Sequence, residues 1–322
     1  MRDVGEVALL EEISRLVRPV HGVAVGPGDD AAVVARSRHP LLLTTDALVE
    51  HVHFRRSWLS AWELGWRGFH VAASDVAAMG GRVRAVLLAL AAPPSWPVAE
   101  LRGVVRGVHA AARRAGAALA GGNLAKAREL SLTVSVLGEA PARPALRSGA
   151  RVGDDVWVTG ALGGAAFGLR LLLGARSVSA GETARRRWRR PVARLRAGEA
   201  LAAGGIATAM MDVSDGLAID AERLARASRR HLAFEAERLP LARCLAGLAP
   251  AAARQLALTG GEDYELLFTA SPRKRAALAR LRLGVAITRI GTVAAGSGVA
   301  VVDAAGRPLA LSGAPGHEHF RP

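Results

Sequence analysis

Apolar residues in this chain change their spacing repeatedly, and that alternation restricts the fold more than any other feature of the sequence. Runs at helical spacing separate runs that alternate or are continuously apolar, which is the pattern of a mixed α/β protein. A helix is expected over Glu6–Val17 and a strand over Leu41–Thr45. Trp58, Trp62, Trp66 and Phe69 then recur at helical spacing as core anchors of a segment running to Asp75, and Val83–Leu90 follows as an apolar strand. Val98–Ala118 reads as a helix leading through Gly121-Gly122 into an alternating strand at Leu130–Gly138. The passage APARPALRSGARVGDD, rich in Pro, Gly and Arg, is the best linker, and Val156–Thr159 opens a second strand series. A chain of 322 residues fits two domains better than one, so we divide it into 1–145 and 146–322, with the boundary between 140 and 150. Helices are expected in the second part after Gly163-Gly164, near Gly198–Ala203 and over Leu217–Ala227, with short strands in the tail.

Composition removes several function classes. A hydrophobic share of 51% excludes a wholly disordered chain, while the longest apolar stretches, such as Ala85–Ala92, are too short to span a bilayer. The N-terminus has acids where a secretory signal needs a basic and then an apolar segment, so a soluble cytoplasmic protein is expected. Cys244 is the only cysteine, which excludes an intrachain disulfide or a cysteine cluster and suggests a small buried side chain. The net charge of +15 would suit a nucleic acid, but almost all of it is arginine and no reader motif or stacking surface accompanies it. The run Arg185–Arg190 is read in the same way, as a solvated face.

Six segments place acids beside glycines or at the ends of apolar runs. In Gly26-Pro27-Gly28-Asp29-Asp30, two adjacent carboxylates after a turn supply hard oxygen ligands suited to Mg²⁺, or else form a polar turn. In Leu41–Asp46 the polar Thr45 and Asp46 fall at the C-terminal end of a strand, where α/β folds place ligands; a cap is the alternative. His51 and His53 follow, the first read as solvent-facing and the second as a substrate contact. In Ser74–Gly81, Asp75 sits in an otherwise apolar helical stretch, where burial is costly unless a cation compensates it or it caps the helix. Gly121-Gly122-Asn123 offers backbone amides to a phosphate and a neutral oxygen to a metal, or makes a simple turn, and Lys126 lies close by. Met211–Leu217 brings Asp212 and Asp215 to a strand end, Asp215 alternatively being a plain N-cap, and Gly260–Leu266 again sets glycines before acids and holds the only tyrosine, Tyr264. The phosphate loop, the dinucleotide fingerprint and the protein-kinase signatures are all missing.

The order of these segments is more specific than any one of them. GDDAA, TTDALVEHVHF, SDVAAMGG, GGN, MDVSDGL and GGEDYEL, over nearly the whole chain, resemble the thiamine-monophosphate kinases, part of the larger group typified by aminoimidazole ribonucleotide synthetase. The resemblance implies an N-terminal ATP- and metal-binding domain whose sheet forms a barrel across a homodimer, and a C-terminal α/β sandwich that completes an active-site cleft. It implies several Mg²⁺ ions on Asp30, Thr45, Asp46, Asp75, Asn123, Asp212 and Asp215, with ATP as co-substrate on Gly122, Asn123, Arg147 and Ser214. His53, Glu262 and His317 match positions that contact thiamine monophosphate, although the tail GHEHF has His317 where the family usually has a stacking aromatic. The implied reaction is direct phosphoryl transfer giving thiamine diphosphate, and no residue is assigned as a general base. The alternatives are another member of the group acting on a different phosphorylated substrate, such as a purine precursor, and a basic nucleic-acid-binding relative without activity.

Overall fold

A computed structural model describes residues 15, 23–25, 31–174, 181–303 and 305–309. Of the helix expected over Glu6–Val17 only Arg15 is among them; Asp29, Asp30 and His317 lie outside. The chain divides into two compact units, the first running to Val76 and from Gly81 to Ala142, the second comprising Ala77–Gly80 and the residues from Arg143 onward.

In the first unit, short strands β1 (Val23–Val25) and β2 (Val33–Val34) pair with each other. The main sheet is built from β3 (Leu41–Val49), β4 (Arg82–Ala92), β5 (Ala118–Lys126) and β6 (Ser131–Glu139), in the order β3-β6-β4-β5. Only the β4–β5 pair is parallel. Leu132, Val134 and Val136 of β6 are buried while the residues between them are half-exposed, the signature of a sheet covered on one face. On the other face Leu41, Leu43 and Leu87 stand exposed, Leu43 to 80%.

Two helices accompany these strands. Helix α1 (Ala61–Ala78) starts at a reciprocal cap, in which the Glu63 side chain accepts from the Ser60 amide at 2.9 Å and Ser60 Oγ accepts from the Glu63 amide. Helix α2 (Val98–Arg114) buries Leu101, Val104, Val105, Val108, Ala111 and Ala112, one stripe at helical spacing.

Three expectations change here. The first strand runs to Val49 rather than Thr45, because β6 pairs with it along its whole length, so Thr45 and Asp46 sit inside a strand and not at its end. Gly121–Asn123 is likewise no turn: helix α2 stops at Arg114 and these residues belong to β5, pressed so closely on β4 that a Cβ at Gly122 would meet the Leu88 carbonyl oxygen at 1.9 Å. Trp58 lies in a short 3₁₀ turn, and Trp62 and Trp66 are half-exposed and stacked on each other at 5.2 Å, which leaves Phe69 as the buried anchor.

The second unit has a six-stranded sheet of β7 (Asp155–Thr159), β8 (Ala209–Val213), β9 (His231–Glu235), β10 (Glu265–Ala270), β11 (Ile287–Ala294) and β12 (Gly298–Val302). Their order is β12-β9-β11-β7-β10-β8. Every residue of β8 and β10 is buried, as expected of strands covered on both faces. Met211, Val213 and Leu267 enter a core with Leu217, Leu224 and Phe234, whereas Met210, Leu266 and Phe268 enter another with Leu201 and Leu278. Around the sheet are α3 (Gly164–Leu172), α4 (Gly181–Arg189), α5 (Leu195–Ala203), α6 (Leu217–Ser228), α7 (Pro250–Thr259) and α8 (Arg275–Arg280). Among the described residues no helix is long and apolar enough to cross a membrane.

Candidate active site

In the first unit, alternation along β3 puts Thr44 and Asp46 on the half-buried side and Thr45 on the exposed side. Asp75, in the last turn of α1, therefore meets Thr44: the Thr44 hydroxyl donates to Asp75 Oδ2 at 2.5 Å. Thr44 was not singled out from sequence, and the two-residue period of a strand was the signal that could have found it. Thr45 Oγ1 instead lies 3.0 Å from Ser135 Oγ, and Asn123 is exposed on β5, in register with Ala89. Asp75 lies well inside the C-terminal end of α1, so it is not an N-cap.

His53 takes a defined ring orientation. The Val49 amide donates to its Nδ1 at 3.0 Å, an acceptor role that belongs to the tautomer with its proton on Nε2. His51 has a positive φ of 66° and a side chain 63% exposed, as expected for the solvent-facing histidine.

In the second unit the acids gather around two strand ends. Asp212 is buried on β8, opposite Leu266. The turn that follows it is organised by Asp220, whose Oδ2 accepts from the amides of Ser214, Asp215 and Gly216 at 3.0, 3.0 and 3.1 Å. Gly216, at φ 132°, gives the turn a conformation that a side chain would strain, and no side chain of its own caps α6 there. Arg223 Nη1 bridges Asp215 Oδ2 at 2.6 Å and Asp220 Oδ1 at 2.7 Å. Burial, helped by the nearby Asp215 charge, pushes the Asp220 carboxyl up to about 6. Neither Asp220 nor Arg223 was recognised from sequence; their i,i+3 spacing on a helix just after MDVSDG was the available clue. Arg147 is exposed, and its carbonyl accepts from Ser228 Oγ at 2.9 Å.

The acids of Gly260–Leu266 have three different fates. Glu262 is half-buried and accepts from the Tyr264 hydroxyl at 2.6 Å, while its amide donates to Ser214 O at 2.7 Å. Asp263 is buried and accepts from the amides of Gly163 and Ala165, at the start of α3; burial pushes its carboxyl up to about 7. Glu265, fully buried, takes two bonds from Arg194 at 2.6 and 2.5 Å and one from Thr159 at 2.7 Å. Cys244 is buried, and burial pushes its thiol up, away from reactivity.

Among the described residues, no three His, Cys, Asp or Glu side chains converge as a metal centre. Mg²⁺ is commonly held by one or two carboxylates together with waters and substrate phosphates rather than by an all-protein cage. Asp46, Asp75, Asp212 and Asp215 are hard oxygen donors of the right kind.

Comparison with known proteins covers both units. The family model described as AIR synthase related protein, N-terminal domain, matches residues 28–140, and the corresponding C-terminal domain model matches residues 151–304. The thiamine-monophosphate kinase of Mycobacterium tuberculosis (strain ATCC 25618 / H37Rv) is 35% identical over 272 residues, which cover 83% of this chain and 81% of that protein. A crystal structure of thiamine-monophosphate kinase from Stenotrophomonas maltophilia K279a superposes with a TM-score of 0.83 at 36% identity, over 92% of this chain and 96% of that one. AaThiL complexed with AMPPCP and TMP superposes with a TM-score of 0.77 at 35% identity, over 99% of this chain and 98% of that one.

Proposed function

The chain belongs to the thiamine-monophosphate kinases, within the AIR synthase related proteins, and is an ATP-dependent phosphotransferase; we propose the residues that serve its reaction. It transfers a phosphoryl group from ATP to thiamine monophosphate, forming thiamine diphosphate and ADP. The observation that carries this is the likeness along 99% of the chain to a protein seen with AMPPCP and TMP.

The chemistry asks for positioning and charge neutralisation more than for covalent help. A phosphate oxygen of the acceptor is already anionic near neutral pH, so it forms the new O–P bond as the bond to ADP breaks, without a general base. The repulsion between two polyanions is the main obstacle, and bound Mg²⁺ would supply the opposing charge. We assign Asp30, Asp46, Asp75, Asp212 and Asp215, with Thr45 and Asn123, as its ligands. Thr45 would act through its carbonyl, since its hydroxyl lies beside Ser135 on the exposed side of β3. Gly122, Asn123, Arg147 and Ser214 are assigned to ATP, and His53, Glu262 and His317 to thiamine monophosphate.

The open face of the β3-β6-β4-β5 sheet supports a homodimer whose two sheets close on each other. Its exposed leucines, Leu41, Leu43 and Leu87, would otherwise remain in water. We take 1–145 as the dimerising, ATP- and metal-binding domain and 146–322 as the second α/β domain. An ATP-consuming enzyme with a free thiol fits the cytoplasm.

The test is turnover: the protein incubated with ATP, Mg²⁺ and thiamine monophosphate should yield thiamine diphosphate and ADP in equal amounts. A folded protein that produces neither sinks the proposal. Leu43→Asp should shift sedimentation towards the monomer, and an unchanged mass would reject the sheet-to-sheet dimer.

A further inference from the structure

We infer that Tyr264 is a positioning residue for the substrate, its hydroxyl holding the Glu262 carboxylate where thiamine monophosphate is bound. The inference rests on the assignment of Glu262 to the substrate made above. Tyr264 is the only tyrosine in the chain, is 6% exposed, and donates to Glu262 Oε2 at 2.6 Å. A hydrogen bond from a hydroxyl to a carboxylate is among the stronger kinds, and this one is partly buried.

The backbone on either side of Asp263 is also unusual. Glu262 and Tyr264 both lie in the left-handed region, at φ 75° and 50°, which side-chain-bearing residues avoid. Such strain persists only where the surroundings over-determine it. Here every residue of the segment is tied: the Glu262 amide to Ser214 O at 2.7 Å, the Tyr264 amide to Val213 O at 2.9 Å, and the Asp263 carboxylate to the amides of Gly163 and Ala165. The first two ties also join the segment to the Asp212–Asp215 turn, so Glu262 is fixed relative to Ser214.

A glutamate has rotamer freedom that must be lost when it binds a ligand, whereas a buried phenol ring has little. Tyr264 removes that freedom in advance, so the carboxylate is oriented before the substrate arrives. The thiazolium ring gives thiamine monophosphate a fixed positive charge, which a carboxylate held in this way would meet.

The contact predicts a specific kinetic pattern. Tyr264→Phe deletes one oxygen and should raise the KM for thiamine monophosphate roughly tenfold, the scale of a lost hydrogen bond to a charged group, while kcat changes less than about twofold. On a Glu262→Gln background the same change should cost little more, because both act through one carboxylate. A Tyr264→Phe enzyme with unaltered KM, or fully additive losses in the double variant, overturns the inference. The single tyrosine also gives a direct signal. With ¹³Cζ-labelled tyrosine, the one ring resonance should move in Glu262→Gln and again when thiamine monophosphate is added to the wild type. A resonance indifferent to both overturns the inference even if Tyr264→Phe does not fold. A wild type that responds in this spectrum to Glu262→Gln but never turns over thiamine monophosphate overturns the kinase assignment instead.

Discussion

In the first unit Asp75 is met by a neutral threonine hydroxyl, whereas three buried acids of the second unit, Glu265, Asp155 and Asp220, come with their own arginines. Glu265 is paired with Arg194, Asp155 with Arg275 and Arg289, and Asp220 with Arg223, which also reaches Asp215. An acid compensated from within the fold can be buried and can hold strands together. An acid met only by a hydroxyl retains demand for a cation from outside. The difference would separate acids that build the protein from those we assign to its reaction, and Asp215 stands between the two, since its arginine is shared with Asp220.

The sharpest way to break that division is to remove a structural acid. Glu265→Ala leaves the Arg194 guanidinium and Thr159 without their partner, and should cost about 3 kcal/mol or more of folding stability, read by chemical denaturation. A loss of activity with stability unchanged would move Glu265 into the reacting group. The converse test is Asp75→Asn, which keeps the shape of the side chain and an acceptor for Thr44. Turnover should fall roughly 100-fold, equivalent to about 2.7 kcal/mol of barrier, while the thermal midpoint moves little. If unfolding and turnover fall together, Asp75 is structural.

Asp263 sharpens the comparison through pH. Its carboxyl is pushed up to about 7 by burial, so between about pH 4 and pH 7 the folded protein holds a proton that the unfolded chain has released. The stability it contributes is complete below the ordinary carboxyl range and is lost as pH rises through about 7. Relative to Asp263→Asn, the wild type should therefore weaken on going from pH 5 to pH 8, by at most about 1.4 kcal/mol per pH unit within the window. Denaturation curves of both proteins at the two pH values decide this. A constant difference would mean that the Gly163 and Ala165 amides keep the carboxylate ionised throughout.

These distinctions were only partly legible in the sequence. Alternating periods revealed the α/β class, and the helix expected over Leu217–Ala227 is α6 almost to the residue, because its apolar stripe is buried by the sheet it packs on. Strand ends were misjudged where polar residues sit inside a strand: Thr44, Thr45 and Asp46 are held there by pairing with β6, which local propensity cannot see. Acid-rich motifs marked these turns but could not give the role of each acid. Within GGEDYE, burial and partners that are distant in sequence make Glu265 a strut, Asp263 a helix anchor and Glu262 a half-buried group held by Tyr264. The arginine excess looked like solvated surface, yet Arg194, Arg223 and Arg289 each neutralise a buried acid.

The smallest expected effect tests whether burial, rather than the arginine itself, decides the role. On α4, Glu182 accepts from Arg189 at 3.0 Å, but its side chain is 71% exposed, against 0% for Glu265. Water already solvates the Glu182 carboxylate there, so little is gained by bringing the pair together, and Glu182→Gln should change stability by less than about 1 kcal/mol. Whatever effect it has should shrink further as salt is added, since exposed pairs are screened. If Glu182→Gln cost as much as Glu265→Ala, the presence of an arginine would matter more than desolvation, and the division between the two kinds of acid would have to be drawn by partner alone.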